Sequence, residues 1–188
     1  MIHATAIVEE GAKLGNNTKV WHFAHVRKNS EVGENCILGK NTYVDAGVKI
    51  GNNVKLQNNV SVYDGVVIHD GVFVGPHVTF TNDLTPRAIN IDGSLKLGSD
   101  WEVSKTIVKT GASIGAASVI LPGITIGQFA MIGAGSTVTK NVQDYWLVYG
   151  APAEHKGYVC KCGAKLGGLG LKGKVQCQRC KSEIEISP

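Results

Sequence analysis

An aliphatic or aromatic residue recurs at every sixth position along most of this chain. The series begins at Ile2, runs without a miss to Phe80, resumes at Val108 and continues to Val138. Four residues after each of these positions, except Phe80, lies a small or β-branched residue. A helix does not produce this pattern, because its apolar residues recur at spacings of three and four. Short β-branched segments separated by Gly, Asn and Asp predict strands and turns instead.

A repeat of this length predicts a parallel β-helix, in which each coil buries what its neighbour cannot bury alone. The pattern resembles the left-handed hexapeptide β-helix, whose triangular coil uses three repeats, and the left hand is implied by that resemblance. We therefore expect an all-β fold, with an ordinary β-sandwich as the disfavoured alternative. Glycine, with 24 residues, is well above its usual share of about 7%. Several glycines directly follow the aliphatic position, at Gly15, Gly33, Gly39, Gly51 and Gly75.

Coils of eighteen residues also predict which side chains stack. Arg27, Asp45, Tyr63 and Thr81 are spaced by eighteen and should form one column along an edge of the prism. The members of this column are mostly large and polar, which makes it a candidate substrate surface together with Asp64. Exposed faces carry polar residues in any case, so a purely structural role for Arg27 and Asp45 is equally compatible with the sequence. Tyr63 is the stronger candidate, because it lies one coil from the interruption of the repeat.

The repeat is interrupted between Phe80 and Val108, which predicts an excursion loop over about residues 81–104. Long loops that leave a regular scaffold are usually functional. This one opens with Asn82 and Asp83, which can orient an amine, and continues to Arg87, which can bind an anion. The alternative is that Asn82 and Asp83 only form a turn and that Arg87 is a surface residue.

The composition changes near residues 152–155. Lys and Arg balance Asp and Glu up to that point, so the net charge of +4 belongs to the end of the chain. We therefore predict two regions, a β-helix over 1–153 and a basic tail over 154–188. No apolar run reaches the roughly 18 residues that a membrane helix needs. The N-terminus lacks the pattern of a signal peptide, and a cytoplasmic location without membrane contact is expected.

Four of the five cysteines lie in the tail, as two close pairs. They are Cys160, Cys162, Cys177 and Cys180. Two such pairs resemble a zinc ribbon. A short tail cannot build an apolar core of its own, so a bound metal or another cross-link is expected to stabilise it. The first pair has one residue fewer than the usual Cys-x-x-Cys, so reduced cysteines without metal are the alternative, and disulfides are less expected in a cytoplasmic protein. The glycine-rich 168–174 segment lacks the Ser or Thr of a phosphate loop, so a nucleotide site is not expected there. The basic residues of the tail are dispersed, which disfavours nucleic-acid binding as well.

Several segments together resemble a known enzyme family. They are the hexapeptide array, FTNDLTPR, KTGASIGAASVILPG, MIGAGSTVTKNV and VYGAPA. The chain resembles the hexapeptide acyltransferases over residues 1 to about 160. Within them it is most similar to the N-acetyltransferases of bacterial surface-polysaccharide synthesis (lipopolysaccharide and O-antigen), in the branch that acts on UDP-2-acetamido-3-amino-2,3-dideoxy-glucuronate.

This resemblance implies a homotrimer with active sites between neighbouring prisms. It also implies acetyl-CoA as co-substrate, lying in a groove beside the later coils. The residues expected to line that groove are Gly115, Ala116, Ala117, Gly133 and Ala134, with Lys140 expected to neutralise a phosphate of CoA. The alternative for the small residues is turn geometry at the corners of the coil.

The resemblance also implies catalytic roles in acyl transfer to an amine. The amine must be neutral and held near the thioester, and the oxyanion needs a donor. Asn82 is expected to orient the sugar amine, and Asp83 to position the loop or take a proton. His77 is the other candidate base, although a departing CoA thiolate can also accept the proton. The residues expected to contact the nucleotide sugar are Arg27, His25, Tyr63, Asp64 and Arg87.

The sequence thus favours transfer of acetyl from acetyl-CoA to the 3-amino group of a UDP-linked amino sugar. A dTDP-linked 3-amino-deoxyhexose is the alternative substrate. A metal trimer resembling the γ-type carbonic anhydrases is an alternative of another class, but His69 and His77 are not eighteen residues apart. A non-catalytic scaffold is the remaining alternative.

Overall fold

The computed structural model describes residues 1–186 and contains strands and turns arranged as a three-faced solenoid. The first face has the strands Ile7–Val8, His25–Val26, Tyr43–Val44, Ser61–Val62, Thr79–Phe80, Val119–Ile120 and Thr137–Val138. The second face has Lys13–Leu14, Glu31–Val32, Lys49–Ile50, Val66–Ile68, Thr106–Val108 and Thr125–Ile126. The third face begins with Lys19–Val20, Ile37–Leu38, Lys55–Leu56, Phe73–Val74, Ser113–Ile114 and Met131–Ile132. This is the parallel β-helix that the six-residue repeat predicts, and it matches the left-handed form that the family resemblance implies.

The register confirms a coil of eighteen residues. Val26 pairs with Val44 on the first face, and Leu38 pairs with Leu56 on the third face. The aliphatic residues of the repeat point inward and are buried from Val20 to Val138, together with their small or β-branched partners four residues later. Each strand therefore needs only one inward side chain, which explains how strands of two residues can build a continuous core.

Glycine permits the close approach of successive coils. A Cβ on Gly39 would lie 2.7 Å from the carbonyl carbon of Gln57 in the next coil, a distance that real Cβ atoms do not tolerate. The same close stacking occurs at the neighbouring corner, where a Cβ on Gly15 would meet Gly33 in the next coil. The high glycine content thus follows from the packing of the corners.

The interruption of the repeat is an insertion of 22 residues into a solenoid that keeps its register. Ile68 pairs with Val108, 40 positions later, and Phe80 pairs with Ile120. A regular coil would place these partners eighteen residues apart. The loop therefore leaves the first face after Phe80 and returns to the second face at Thr106 without disturbing the core.

The tail begins as a continuation of the third face. Trp146–Gly150 pairs in parallel with Met131–Ile132, and Ala153–Val159 then pairs antiparallel with Trp146–Gly150. Lys165–Gly167 extends the same sheet, while Gly173–Gln176 and Glu183–Ile186 form a separate hairpin.

The predicted boundary near residue 153 falls at the turn between the first two of these strands. Residues 187 and 188, the end of the predicted tail, lie outside the described residues. Within 1–186 no helix is long and apolar enough to cross a membrane.

A half-buried histidine links the tail to the last coil. The His155 ring stacks on Trp146 with ring centroids 3.9 Å apart, and its Nε2 donates to the Gly157 carbonyl oxygen at 2.9 Å. Burial lowers the pKa of His155 below the ordinary value of 6.5. The unfolded chain therefore binds a proton more readily, so this contact stabilises the folded chain fully above pH 6.5 and progressively less as the pH falls below it.

We expect the unfolding temperature to fall between about pH 7.5 and about pH 5.5, and to fall less in His155→Phe. Differential scanning calorimetry across this range measures both slopes. Equal slopes in the two proteins would show that His155 is not responsible.

Candidate active site

The first face carries the predicted polar column, and the structure shows that it extends one coil further than expected. Arg27 Nη1 donates to Asp45 Oδ1 at 3.0 Å, and Arg27 Nε donates to Glu9 Oε1 at 3.4 Å. Tyr43, on the adjoining strand, donates from its hydroxyl to Asp45 Oδ1 at 3.0 Å. Arg27 is therefore held between two carboxylates, and its charge is balanced within the chain.

His25 belongs to the same network. Its Nε2 lies 2.7 Å from Glu9 Oε1, and the Lys28 backbone N–H donates to Glu9 Oε2 at 2.9 Å. The Lys28 amide and then His25 lower the pKa of the Glu9 carboxyl. Burial raises the pKa of the Tyr43 hydroxyl, so this phenol remains a neutral donor. The members of the network are thus joined across neighbouring coils.

Glu9 and Tyr43 are site residues that sequence reasoning missed. Glu9 lies eighteen residues before Arg27, so extending the column by one coil would have identified it. Tyr43 lies eighteen residues after His25 and pairs with it in the sheet. Its hydroxyl accepts from Arg27 Nη1 at 3.4 Å, a contact between two columns that the repeat alone does not predict.

Tyr63 and Asp64 continue this surface toward the loop. The Tyr63 side chain is 38% exposed, and its ring lies 5.7 Å from that of Tyr43. The Asp64 backbone N–H donates to Asp45 Oδ2 at 3.3 Å, while Asp64 Oδ1 accepts from the Gly65 N–H at 2.7 Å. Tyr63 thus offers an accessible aromatic surface, whereas Asp64 closes a turn.

The excursion loop starts at the end of this column. Thr81 Oγ1 donates to the Ile120 carbonyl oxygen at 3.0 Å, and the Ser104 N–H donates to the Asn82 carbonyl oxygen at 3.3 Å, which closes the neck of the loop. The Asn82 side chain is half-buried. Among residues 1–186 no hydrogen bond of its amide group is present, so the amide is available to a ligand.

The remaining predicted loop residues have defined positions. Asp83 Oδ1 accepts from the Thr85 N–H at 2.8 Å, which is the loop-positioning contact expected of it. Asp83 and Thr85 also line an open cleft with Lys96 and Trp101. Arg87 is exposed, and its Nη1 donates to the Pro86 carbonyl oxygen at 3.2 Å. Asn82 and Asp83 therefore directly follow Thr81, the residue after Tyr63 in the column, and Arg87 lies further along the loop.

His77 lies at the other end of the strand Thr79–Phe80 from Asn82. It adopts a left-handed backbone conformation with φ of 61°, and its Nε2 lies 3.3 Å from Asn59 Nδ2. The Ala117 N–H donates to the Pro76 carbonyl oxygen at 2.8 Å, so Ala117 follows His77 in the corner column. Within one chain, His77 is thus adjacent to the predicted CoA residues and not to Asn82.

The predicted CoA residues form the corner between the third and first faces. Gly115 leaves no room for a side chain, because a Cβ there would collide with the Ala134 backbone. Three coils earlier, the equivalent N–H of Lys40 is capped by Asn58 Oδ1 at 2.9 Å. Ala134 provides no such acceptor for the Ala116 N–H, and within 1–186 the N–H groups of Ala116 and Ala134 have no hydrogen-bond partner. This corner therefore combines a small-residue floor with free backbone donors.

Lys140 lies beyond this corner, just after the strand Thr137–Val138, and is exposed. Lys156 and then Lys140 lower the pKa of the Glu154 carboxyl. The charge of Lys140 faces solvent at the end of the solenoid, where an anion can reach it.

The four tail cysteines form a group with metal-binding geometry. Their sulfur atoms all lie within 4.8 Å of one another, and all four are free cysteines. The hydroxyl and the backbone N–H of Ser182 lower the pKa of the Cys180 thiol to about 6. Cys36, in contrast, is buried in the core, and its pKa is raised by that burial. Within residues 1–186 of one chain this is the one group of three or more His, Cys, Asp or Glu with such geometry.

Family models match both halves of the solenoid. The model described as bacterial transferase hexapeptide (six repeats) matches residues 1–46 and 47–82. The model described as hexapeptide repeat of succinyl-transferase matches residues 107–140. The unmatched gap between them coincides with the excursion loop.

Known proteins resemble the chain in sequence and in fold. A dTDP-3-amino-3,6-dideoxy-alpha-D-galactopyranose 3-N-acetyltransferase of Aneurinibacillus thermoaerophilus is 51% identical over 176 residues, covering 94% of this chain and 87% of that protein. A solved galactoside acetyltransferase in complex with coenzyme A is 27% identical with a TM-score of 0.58, covering 69% of this chain and 64% of that chain. A putative acetyltransferase of Bacillus cereus shares the fold at 22% identity, with a TM-score of 0.55 over 82% of this chain and 78% of that chain. The chain therefore belongs to the hexapeptide-repeat acyltransferases and is an acetyl-CoA-dependent acetyltransferase.

Proposed function

We infer that the enzyme transfers the acetyl group of acetyl-CoA to the 3-amino group of a dTDP-linked 3-amino-3,6-dideoxyhexose. The supporting observation is the 51% identity to an enzyme of that activity across 94% of this chain. Sequence reasoning ranked a UDP-linked amino uronic acid first and the dTDP-linked sugar second. The identity favours the second of these substrates.

The geometry of the first face supports an amino-sugar site at the neck of the loop. The Asn82 amide oxygen accepts a hydrogen bond from the sugar amine and directs the nitrogen lone pair toward the thioester carbonyl. Such positioning is a major part of catalysis for a reaction between two bound substrates. Asp83 keeps the loop in place through Thr85, and Tyr63 offers its ring to the nucleotide sugar.

The corner at Ala116 and Ala134 supports a site for the acyl donor. Its free backbone N–H groups are suited to the amides of the pantetheine arm or to the oxyanion that forms during transfer. His77 lies in the same corner and is exposed. This position suits contact with the acyl donor better than removal of a proton from an amine held by Asn82. The departing CoA thiolate then takes that proton.

A homotrimer would bring these two surfaces together. Within one chain, Asn82 and the Ala116 corner lie at opposite ends of the first face. A single corner therefore does not hold both the amino sugar and the acyl donor. Apolar side chains at the edges of the prism are exposed, among them Ile7 at 57%, Phe23 at 59% and Phe73 at 40%. Burial of such residues between neighbouring prisms is the expected driving force for assembly.

The substrate assignment is tested by measuring CoA release with matched nucleotide sugars. We expect kcat/KM for dTDP-3-amino-3,6-dideoxygalactose to exceed that for UDP-2-acetamido-3-amino-2,3-dideoxyglucuronate at least about tenfold. The same sugars lacking the 3-amino group are the control and should give no release above background. A preference for the UDP-linked sugar, or no turnover with either, would contradict the assignment.

A further inference from the structure

Two hairpin turns in the tail present their cysteines to one another. Cys160 and Cys162 lie in the turn between Ala153–Val159 and Lys165–Gly167. Cys177 and Cys180 lie in the turn between Gly173–Gln176 and Glu183–Ile186. The sulfur atoms of Cys160 and Cys180 are 3.5 Å apart, and those of Cys162 and Cys177 are 3.7 Å apart. Four thiolates at about 2.3 Å from a tetrahedral zinc ion are separated by about 3.8 Å.

The shorter first pair does not prevent this convergence. In the first turn the Gly163 N–H donates to the Cys160 carbonyl oxygen at 2.8 Å, and in the second the Lys181 N–H donates to the Cys177 carbonyl oxygen at 2.9 Å. The residue after the second cysteine has a left-handed backbone in both turns, with φ of 82° at Gly163 and 62° at Lys181. The two turns thus have matching ends although the second is one residue longer, and both aim two sulfurs at the same point.

The second hairpin has little else to hold it. Gly173–Gln176 and Glu183–Ile186 pair only with each other, and a lone two-stranded hairpin is marginally stable in water. Its buried apolar side chains, Ile184 and Ile186, join a small cluster with Tyr158. Such a cluster is too small to stabilise an independent fold without a bound metal ion or another cross-link.

The first turn, in contrast, is anchored to the solenoid. It ends the strand Ala153–Val159, which is hydrogen-bonded into the third face. Lys161 Nζ lies 5.4 Å from the centre of the Phe129 ring, and a Cβ on Gly163 would contact Met131 Cε at 3.6 Å. A link between the two turns therefore attaches the hairpin to the end of the β-helix.

We propose that Cys160, Cys162, Cys177 and Cys180 bind one zinc ion, which fastens the terminal hairpin to the third face as a cap of the solenoid. Four protein ligands fill the coordination sphere, so the ion has a structural role and leaves no position for substrate. The site is separate from the Asn82 loop and from the Ala116 corner, and it does not depend on the substrate assignment.

The test is the zinc content of the full chain after gel filtration, measured by inductively coupled plasma mass spectrometry. We expect one zinc ion per chain, and none in Cys177→Ser/Cys180→Ser. In this double variant, amide hydrogen exchange should become fast over residues 173–186 and stay slow in the solenoid core. Replacement of zinc by cobalt(II) should produce thiolate-to-cobalt charge-transfer absorption, which the double variant lacks.

Cys36→Ala is the matched control, because Cys36 is buried in the core away from the tail. It should keep one zinc ion per chain. The proposal is overturned if the unaltered chain holds no zinc, whether its tail cysteines are free thiols or disulfides, or if it holds iron instead. It is also overturned if the double variant retains the full zinc content.

Discussion

Asn82→Ala is expected to reduce kcat/KM for acetyl transfer about 100-fold or more, because a misplaced amine loses its approach to the thioester. Asn82 is half-buried, and its amide makes no hydrogen bond within residues 1–186, so its removal should leave the fold intact. The loss should appear mainly in kcat, since positioning of the reacting nitrogen matters most in the transition state. CoA release, followed with a thiol reagent, measures both constants.

The matched control is Asn16→Ala, which changes an exposed asparagine on the first coil. Its activity should stay within about twofold of the unaltered enzyme. Unfolding temperature and oligomer size should be the same for both variants. If Asn82→Ala keeps activity comparable to the control in a folded oligomer, Asn82 does not orient the amine.

Phe80→Ala is expected to destabilise the chain by about 3–5 kcal/mol, the usual cost of removing a buried phenylalanine ring. Phe80 is fully buried and is the largest side chain of the core. It also ends the last first-face strand before the loop, where the cavity would border the neck at Asn82. A parallel solenoid relaxes little around such a cavity, because each coil is fixed by hydrogen bonds on both sides.

Urea unfolding at constant protein concentration measures this change, since oligomer stability depends on concentration. Leu169→Ala is the control, because Leu169 lies in the tail, is 66% exposed and should contribute less than about 1 kcal/mol. A loss below about 1 kcal/mol for Phe80→Ala would contradict the account of the core.

The fold could be predicted from the sequence because every coil repeats the same six-residue pattern of inward-facing residues. Val26 and Val44 are neighbours in space for the same reason that they are eighteen residues apart in sequence. The ion pair of Arg27 with Asp45 follows from this rule, and so does the position of Glu9. The length of the insertion could also be predicted, since the repeat resumes in register at Val108.

The loop and the substrate could not be predicted in the same way. Asn90 Nδ2 donates to Asp100 Oδ2 at 3.2 Å inside the loop, a contact that no period relates. Arg27 stays a predicted substrate ligand, and its Nη1 donates to the Tyr43 hydroxyl at 3.4 Å, a contact between two columns that the repeat does not encode. Thymine and uracil differ by one methyl group, which a pocket discriminates by only a few kcal/mol. The six-residue repeat therefore does not distinguish a dTDP-linked from a UDP-linked substrate.

The central claim is tested most directly by identifying the product of one turnover with labelled acetyl-CoA. The product with dTDP-3-amino-3,6-dideoxygalactose is isolated and the position of the acetyl group is determined by NMR. We predict a single amide on the 3-nitrogen, stable to hydroxylamine. An acetyl ester on a sugar hydroxyl, or no labelled sugar at all, would contradict the account.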